Sequence, residues 1–290
     1  MGLSAPVIAS TFLLSQKSPS LYVAKTADAN NVEVVSKTPT PQDVGDFPVI
    51  TAQGVYAYEL GEGIVLYEKD ADGLLLPAST TKIVTALVAL DNYNLDKVIN
   101  TGELYVGGSR MGLSWHESIS VRDLLYGLLI HSGNDAAEVL ARSFSGGREE
   151  FINAMNKKAR ELGSTSTNFV NPSGLDGEGQ KTTARDLALI AVYAMQNPEF
   201  AKIVATESYV ARDVSGTTVH YLKNKNELLG KTPGVLGVKT GWTESARENL
   251  VTYVERNGRR VIIAVLGSQD RFGETEELIE WIFGPYSPSP

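Results

Sequence analysis

Ser79 and Lys82, separated by Thr80 and Thr81, place a hydroxyl and an amine three positions apart. On a helix that spacing brings two side chains together on one face. A serine hydroxyl becomes a nucleophile only when a base removes its proton. Lysine is such a base only when neutral, so burial or a nearby cation must lower its pKa. The run 82–90 (KIVTALVAL) is apolar on most faces and supplies the burial. Lys239, in Lys239-Thr240-Gly241, is the expected second cation. Ser79 is placed in the first helical turn after Pro77-Ala78, where the helix dipole favours developing negative charge. Ser132-Gly133-Asn134 adds a second hydroxyl, a relay from Lys82 to a leaving amine, and an amide with a donor and an acceptor for substrate. The backbone N–H groups of Ser79 and Trp242 are candidates for an oxyanion hole. Together these residues describe acyl transfer through a serine with a lysine base. His116, His131 and His220 are scattered, so neither a Ser-His-Asp arrangement nor a metal site is expected, and structural roles are assigned to all three.

Something must deliver these groups to one place. Residues 55–60 and 64–68 flank Gly61-Glu62-Gly63 and read as a hairpin. Ser120-Val121-Arg122-Asp123 has the form of a capping box and opens the apolar stretch 124–130, so Ser132-Gly133-Asn134 falls in the following turn and is expected to aim outward. Residues 148–162 form an amphipathic helix stopped by Gly163, and Thr183-Ala184-Arg185-Asp186 caps another over 187–195. Residues 208–211 and 217–222 bracket Ser215-Gly216, and 250–255 and 260–266 bracket Asn257-Gly258, a strong hairpin signal. Residues 235–243 read as a strand on which Lys239 and Thr240 point to opposite sides. Gly241 would let a substrate backbone approach, and as an edge this strand would pair with an extended peptide. Residues 275–283 close the chain with a helical face. The expectation is an α+β fold: one antiparallel sheet made of the first hairpin and the late strands, flanked by helices, with an all-helical subdomain between.

Composition sets the outer bounds. The 290 residues are 42% hydrophobic and 21% charged, as in an ordinary globular protein. A net charge of −8 without a Lys/Arg run argues against a nucleic-acid partner. With no cysteine there is neither a disulfide nor a thiolate metal site, and no cofactor is expected. Residues 16–50 are rich in Ser, Thr, Asn, Asp and Pro. Residues 1–50 are therefore read as an N-terminal tail or linker and 51–290 as one catalytic domain. The apolar segment 2–15 reads equally as the remnant of a signal or membrane anchor and as a frayed end, which leaves N-terminal membrane association open.

The chain resembles the serine D-alanyl-D-alanine carboxypeptidases, the low-molecular-weight penicillin-binding proteins, over residues 53–283. Leu76-Pro77-Ala78-Ser79-Thr80-Thr81-Lys82-Ile83 resembles their nucleophile segment. Asn171-Pro172-Ser173-Gly174-Leu175-Asp176 and Asn224-Lys225-Asn226-Glu227-Leu228-Leu229 resemble the middle region and the approach to the Lys-Thr-Gly strand. The resemblance implies a β-lactamase/penicillin-binding-protein-like fold and a peptidoglycan stem peptide ending in D-Ala-D-Ala as substrate. It further implies an acyl-enzyme on Ser79, acylation of that serine by β-lactam antibiotics, and an extracytoplasmic location, in the periplasm or at the cell surface. Catalytic roles fall to Ser79, Lys82 and Ser132. Substrate contacts fall to Asn134, Lys239, Thr240, Gly241, Trp242 and Thr243, with Arg271 expected to hold the terminal carboxylate. Ala246-Arg247 departs from the family's Ala-Gly and is expected to set a bulky cation beside the site. A class A β-lactamase is disfavoured, because the chain has Ser-Gly-Asn where that class has Ser-Asp-Asn and offers only Glu178 as a deacylating glutamate. An endopeptidase of the same family, cutting cross-links, is the nearer alternative.

Overall fold

The computed structural model describes residues 48–284. Most of the expected tail, 1–47, lies outside the described residues. The chain opens with the hairpin β1 (Gly54–Glu59) and β2 (Ile64–Lys69). A 3-10 turn over Ala78–Thr81 runs directly into α1 (Lys82–Asn92). A small hairpin of β3 (Val98–Asn100) and β4 (Ser118–Ser120) precedes α2 (Val121–Leu129), α3 (Asn134–Arg142) and α4 (Gly147–Glu161). Next come α5 (Ala184–Ala194), α6 (Pro198–Val204) and the hairpin β5 (Ser208–Arg212) and β6 (Val219–Lys223). Strands β7 (Val235–Thr243), β8 (Arg247–Arg256) and β9 (Arg259–Ser268) lead to α7 (Arg271–Phe283).

The main sheet has the order β2-β1-β9-β8-β7 and is antiparallel, with β7 at one edge. The expected sheet thus forms, with one exception. β5 and β6 pair only with each other and sit against the helices, with Tyr209 of β5 stacked on Tyr126 of α2 at 3.6 Å. The β5–β6 alternation predicted a strand pair correctly but carried no information about which sheet would receive it.

The sheet divides two cores, and strand alternation decides which residue serves which. Ile262, Ala264 and Leu266 of β9, with Val251 and Tyr253 of β8, face the helical core. Val261, Ile263 and Val265, with Leu250 and Val254, face α7. All of Val261–Leu266 is solvent-free, and each large side chain so buried contributes about 2 kcal/mol. α1 lies in the middle of the helical core, buried from Lys82 to Ala89. The capping signals at Ser120 and Thr183 act as expected: the two hydroxyls accept from the backbone N–H of Asp123 and Asp186.

Candidate active site

Ser79 belongs to the 3-10 turn and Lys82 is the first residue of α1, so the two face each other at the tip of a rigid, buried helix. Lys82 Nζ lies 2.8 Å from Ser79 Oγ, 2.7 Å from Asn134 Oδ1 and 2.6 Å from the Ser173 carbonyl. Lys82 is 0% exposed, and burial lowers its pKa to about 7. The Asp135 carboxylate opposes that shift and the Lys225 ammonium adds to it. Lys225 is thus a cation near Lys82 that was not expected, beside Lys239, whose charge and that of Lys82 repel each other. Lys239, 2% exposed, is itself pushed well below the ordinary lysine range by burial first, then by the charges of Lys82, Lys225 and Arg271.

Ser132 and Asn134 do not aim outward as the turn suggested. Ser132 takes a left-handed backbone (φ 63°) and turns inward, where Lys239 Nζ donates to its hydroxyl at 3.0 Å. Its hydrogen-bond partner is therefore Lys239, while Lys82 bonds to Ser79, Asn134 and Ser173. Asn134 opens α3 and is also buried. Its Oδ1 accepts from Lys82, and its Nδ2 donates to the Gly107 carbonyl at 2.7 Å. The amide proposed for substrate thus holds the base and the Gly107 loop in place.

β7 enters from the sheet edge. A Cβ added at Gly241 would meet the Pro77 carbonyl at 3.1 Å and Ser79 N at 3.2 Å. This glycine therefore permits β7 to pack on the nucleophile turn, a different close approach from the substrate contact expected of it. Thr240 is buried, Trp242 is 62% exposed, and Thr243 Oγ1 donates to Asp176 at 2.8 Å. Arg271 begins α7 and reaches back under β7, donating from Nη1 to the Gly241 carbonyl at 2.9 Å.

Ser79, Ser109, Ser132, Lys225, Thr240, Gly241, Trp242 and Arg271 line one cleft of about 290 Å³. On one side it adjoins a cavity of about 640 Å³ that shares Ser79, Ser109 and Trp242 and adds Asn134, Leu175, Asp176, Thr243 and Glu244. Every expected site residue thus lines one of these two cavities or, for the buried Lys82 and Lys239, bonds to a serine that does. Arg247 does not. It sits in the left-handed region (φ 58°) where β8 leaves the hairpin turn and pairs with Thr243 of β7, but it is exposed and lines neither cavity.

Several supporting residues were not predicted. Asn171 Oδ1 accepts from the backbone N–H groups of Ser173, Gly174 and Leu175, which fixes the carbonyl that Lys82 uses. Asp135 accepts from Met111, Gly112 and Leu113 N–H and fastens the Ser109 loop to α3. Asn249 donates to the Leu76 and Pro77 carbonyls just ahead of Ser79 and accepts from Gly267 N–H. A solvent-free asparagine inside the apolar strand β8 was the available signal for the last. The structural reading of the histidines fits at His220, which is buried against Glu117 at 2.6 Å in support of the same loop.

A family model for D-alanyl-D-alanine carboxypeptidases matches residues 40–270, beginning ten residues before the expected boundary at 50. The D-alanyl-D-alanine carboxypeptidase of Mycobacterium tuberculosis is 37% identical over 254 residues, covering 83% of this chain and 86% of the relative. That of Bacillus subtilis is 34% identical over 250 residues, 82% of this chain, but this chain spans only 64% of its length. Among solved structures, a Streptomyces DD-transpeptidase superposes with a TM-score of 0.78 at 36% identity, covering 82% of this chain and 99% of that one. From the site geometry and these matches together, the chain belongs to the D-alanyl-D-alanine carboxypeptidase family of serine peptidases, with its penicillin-binding-protein-like α+β fold.

Proposed function

We propose that this protein is a serine carboxypeptidase that removes the terminal D-Ala from peptidoglycan stem peptides, acting outside the cytoplasm. The observation that carries the reading is a solvent-free lysine whose pKa falls to about 7, with its nitrogen 2.8 Å from a half-buried serine hydroxyl. When neutral, Lys82 keeps two N–H donors for Asn134 Oδ1 and the Ser173 carbonyl. Its lone pair then faces the Ser79 hydroxyl and takes the proton as Oγ attacks the carbonyl carbon of the penultimate D-Ala. The Ser79 and Trp242 N–H groups receive the developing oxyanion. As the C–N bond breaks, the proton that Lys82 took passes through Ser132 Oγ to the leaving amine, D-Ala departs and Lys82 is neutral again. Water then attacks the ester as its proton passes to Lys82, which returns it to Ser79 Oγ as the ester C–O bond breaks and the shortened peptide leaves. A β-lactam carbonyl would be attacked by the same oxygen. The terminal carboxylate of substrate is assigned to Arg271, Lys225 and Thr240, which share the cleft with Ser79. Glu178 is exposed and lines neither cavity, which speaks against a deacylating glutamate of the class A β-lactamase kind.

One observation supports a second reading. Beyond Lys225 and Arg271 the cleft continues into a groove of about 670 Å³ that includes Glu207, Lys223, Glu227 and Lys231. It has room for a leaving amine larger than D-Ala, as endopeptidase cleavage of a cross-link requires. Comparing D-Ala release from a pentapeptide with cleavage of cross-linked dimers separates the two. The acyl-enzyme itself is tested by intact-mass measurement after penicillin, where wild type gains one adduct and Ser79→Ala none. An unmodified wild-type chain would sink the mechanism.

A further inference from the structure

The loop between β3 and β4 leaves two large aromatic side chains in water, Tyr105 at 72% exposure and Trp115 at 51%. Their rings meet edge to face, with centroids 5.1 Å apart and planes at 67°. The Trp115 indole N–H donates to the Leu104 carbonyl at 3.1 Å, which fixes this ring against the part of the loop that carries Tyr105. The loop is fastened along its length. Thr101 donates from its N–H to the Glu117 carbonyl and from its hydroxyl to the Ser114 carbonyl, both at 2.8 Å. Arg142, at the end of α3, donates to the Glu103 carbonyl at 2.9 Å, and Asp135 holds the N–H groups of Met111, Gly112 and Leu113. Two exposed rings held in place this firmly forgo burial without gaining mobility, which marks a surface made for contact.

The same loop is a wall of the site. Gly108 and Ser109 line the cavity beside Ser79, and the Gly107 carbonyl accepts from Asn134. Tyr105 is three residues ahead of Gly108, within about 10 Å along the chain. With the carboxylate end of a substrate at Lys225 and Arg271, its amino end leaves through this cavity. In peptidoglycan that end of the stem is joined to a glycan strand of N-acetylated sugars. Pyranose rings present C–H faces that pack on the electron-rich faces of aromatic rings. Exposed Glu103, Ser114 and His116 flank the pair with polar groups suited to hydroxyls and acetamides. Within the described residues 98–117, Val98 is the only other large apolar side chain exposed, so the rings lack the aliphatic surround of a protein-docking face. Building on the carboxypeptidase reading, we infer that Tyr105 and Trp115 form a platform for the glycan strand that carries the stem peptide. The enzyme therefore prefers stems still attached to sugar.

The test compares D-Ala release from a free stem pentapeptide with release from the same pentapeptide carried on an N-acetylated tetrasaccharide. In the wild type kcat/KM should be roughly tenfold higher on the glycan-linked substrate, equivalent to about 1.4 kcal/mol. In Tyr105→Ala/Trp115→Ala that ratio should fall to near one while the free pentapeptide keeps its rate. Tyr105→Phe, which keeps the ring, should keep the ratio. A wild-type ratio near one, or a ratio the double variant preserves, would overturn this inference and leave the carboxypeptidase reading standing. Co-sedimentation with glycan strands stripped of peptide gives a readout independent of turnover: the wild type should bind and the double variant should not. If neither substrate releases D-Ala, the carboxypeptidase reading fails, and binding to the stripped strands alone decides for or against the platform. A wild type that binds anionic phospholipid vesicles through these two rings, and not the stripped glycan, would assign them to a membrane surface and overturn the inference as well.

Discussion

The pKa of Lys82 can be read twice, once in rate and once in stability, and the two readings must agree. With a native value of about 7, roughly 3% of the enzyme holds neutral Lys82 at about pH 5.5 and nearly all at about pH 8.5. Acylation of Ser79 by penicillin, followed by stopped-flow or quenched mass spectrometry, should rise about thirtyfold across that range and then level off. The same shift has an opposite face in folding. An unfolded lysine titrates at its model value of 10.5 and native Lys82 at about 7. Between those values the unfolded chain binds a proton that the native chain does not. Stability therefore rises with pH through the window, by about 1.4 kcal/mol per pH unit and roughly 5 kcal/mol in all. Below pH 7 both states hold the proton and the cost of burying it is present in full. Lys82→Met removes this share of the dependence and leaves that of Lys239. Its absolute stability also reflects Asn134 Oδ1 and the Ser173 carbonyl, which lose their donor at about 1–3 kcal/mol each, but that loss does not vary with pH. Lys239, relieved of a cationic neighbour in the variant, regains some basicity and widens the difference. Urea unfolding of both proteins at pH 7, 8.5 and 10 measures it. Parallel stability curves, or an acylation rate still climbing tenfold per unit above about pH 8.5, would show that Lys82 is an ordinary lysine and not the base.

Three further perturbations address the support around the base. Lys225→Met withdraws a charge that lowers the Lys82 pKa, so the midpoint of the acylation profile should move to higher pH; a midpoint that stays put or falls would disprove the coupling. Gly174→Ala places a methyl 1.9 Å from the Ala78 carbonyl at φ +83°. It should cost about 2–4 kcal/mol and slow acylation more than tenfold, and a folded variant acylated at the wild-type rate would contradict the packing argument. Arg247→Gly relieves a left-handed non-glycine residue, at a gain of about 0.5–1 kcal/mol after the entropy lost with glycine. In a domain of this size that raises Tm by about 1–4 °C, with penicillin acylation unchanged; a lower Tm, or an altered rate, would return Arg247 to the site.

The chemistry was legible because it rests on residue types, and the geometry less so because it rests on partners far apart in the chain. Ser79 and Lys82 meet through local helical spacing, and the strand carrying Lys239 announces itself by alternation. Which lysine acts on which group is a tertiary matter. Ser132 and Lys239 are 107 positions apart, and Lys82 and Ser173 are 91 apart. A turn rich in small polar residues ordinarily faces water, which is the expectation for Ser132-Gly133-Asn134. It is buried instead because α1 presents an amine that needs acceptors, and Asn134 and Ser173 supply them in a region otherwise apolar. The glycines show the same limit. Gly241 signals close approach wherever it occurs, but only the fold reveals that the Pro77–Ser79 backbone is one of its close neighbours. Arg247 shows the limit from another side: the departure from the family's Ala-Gly is expected to set a cation beside the site, and the hairpin turn at 244–246 does bring Arg247 opposite Thr243 while leaving its side chain exposed. Sequence distance from a motif is thus a poor measure of contact with its chemistry, since β7 carries Trp242 into the cleft whereas Arg247, paired with Thr243 across the hairpin, lines neither cavity.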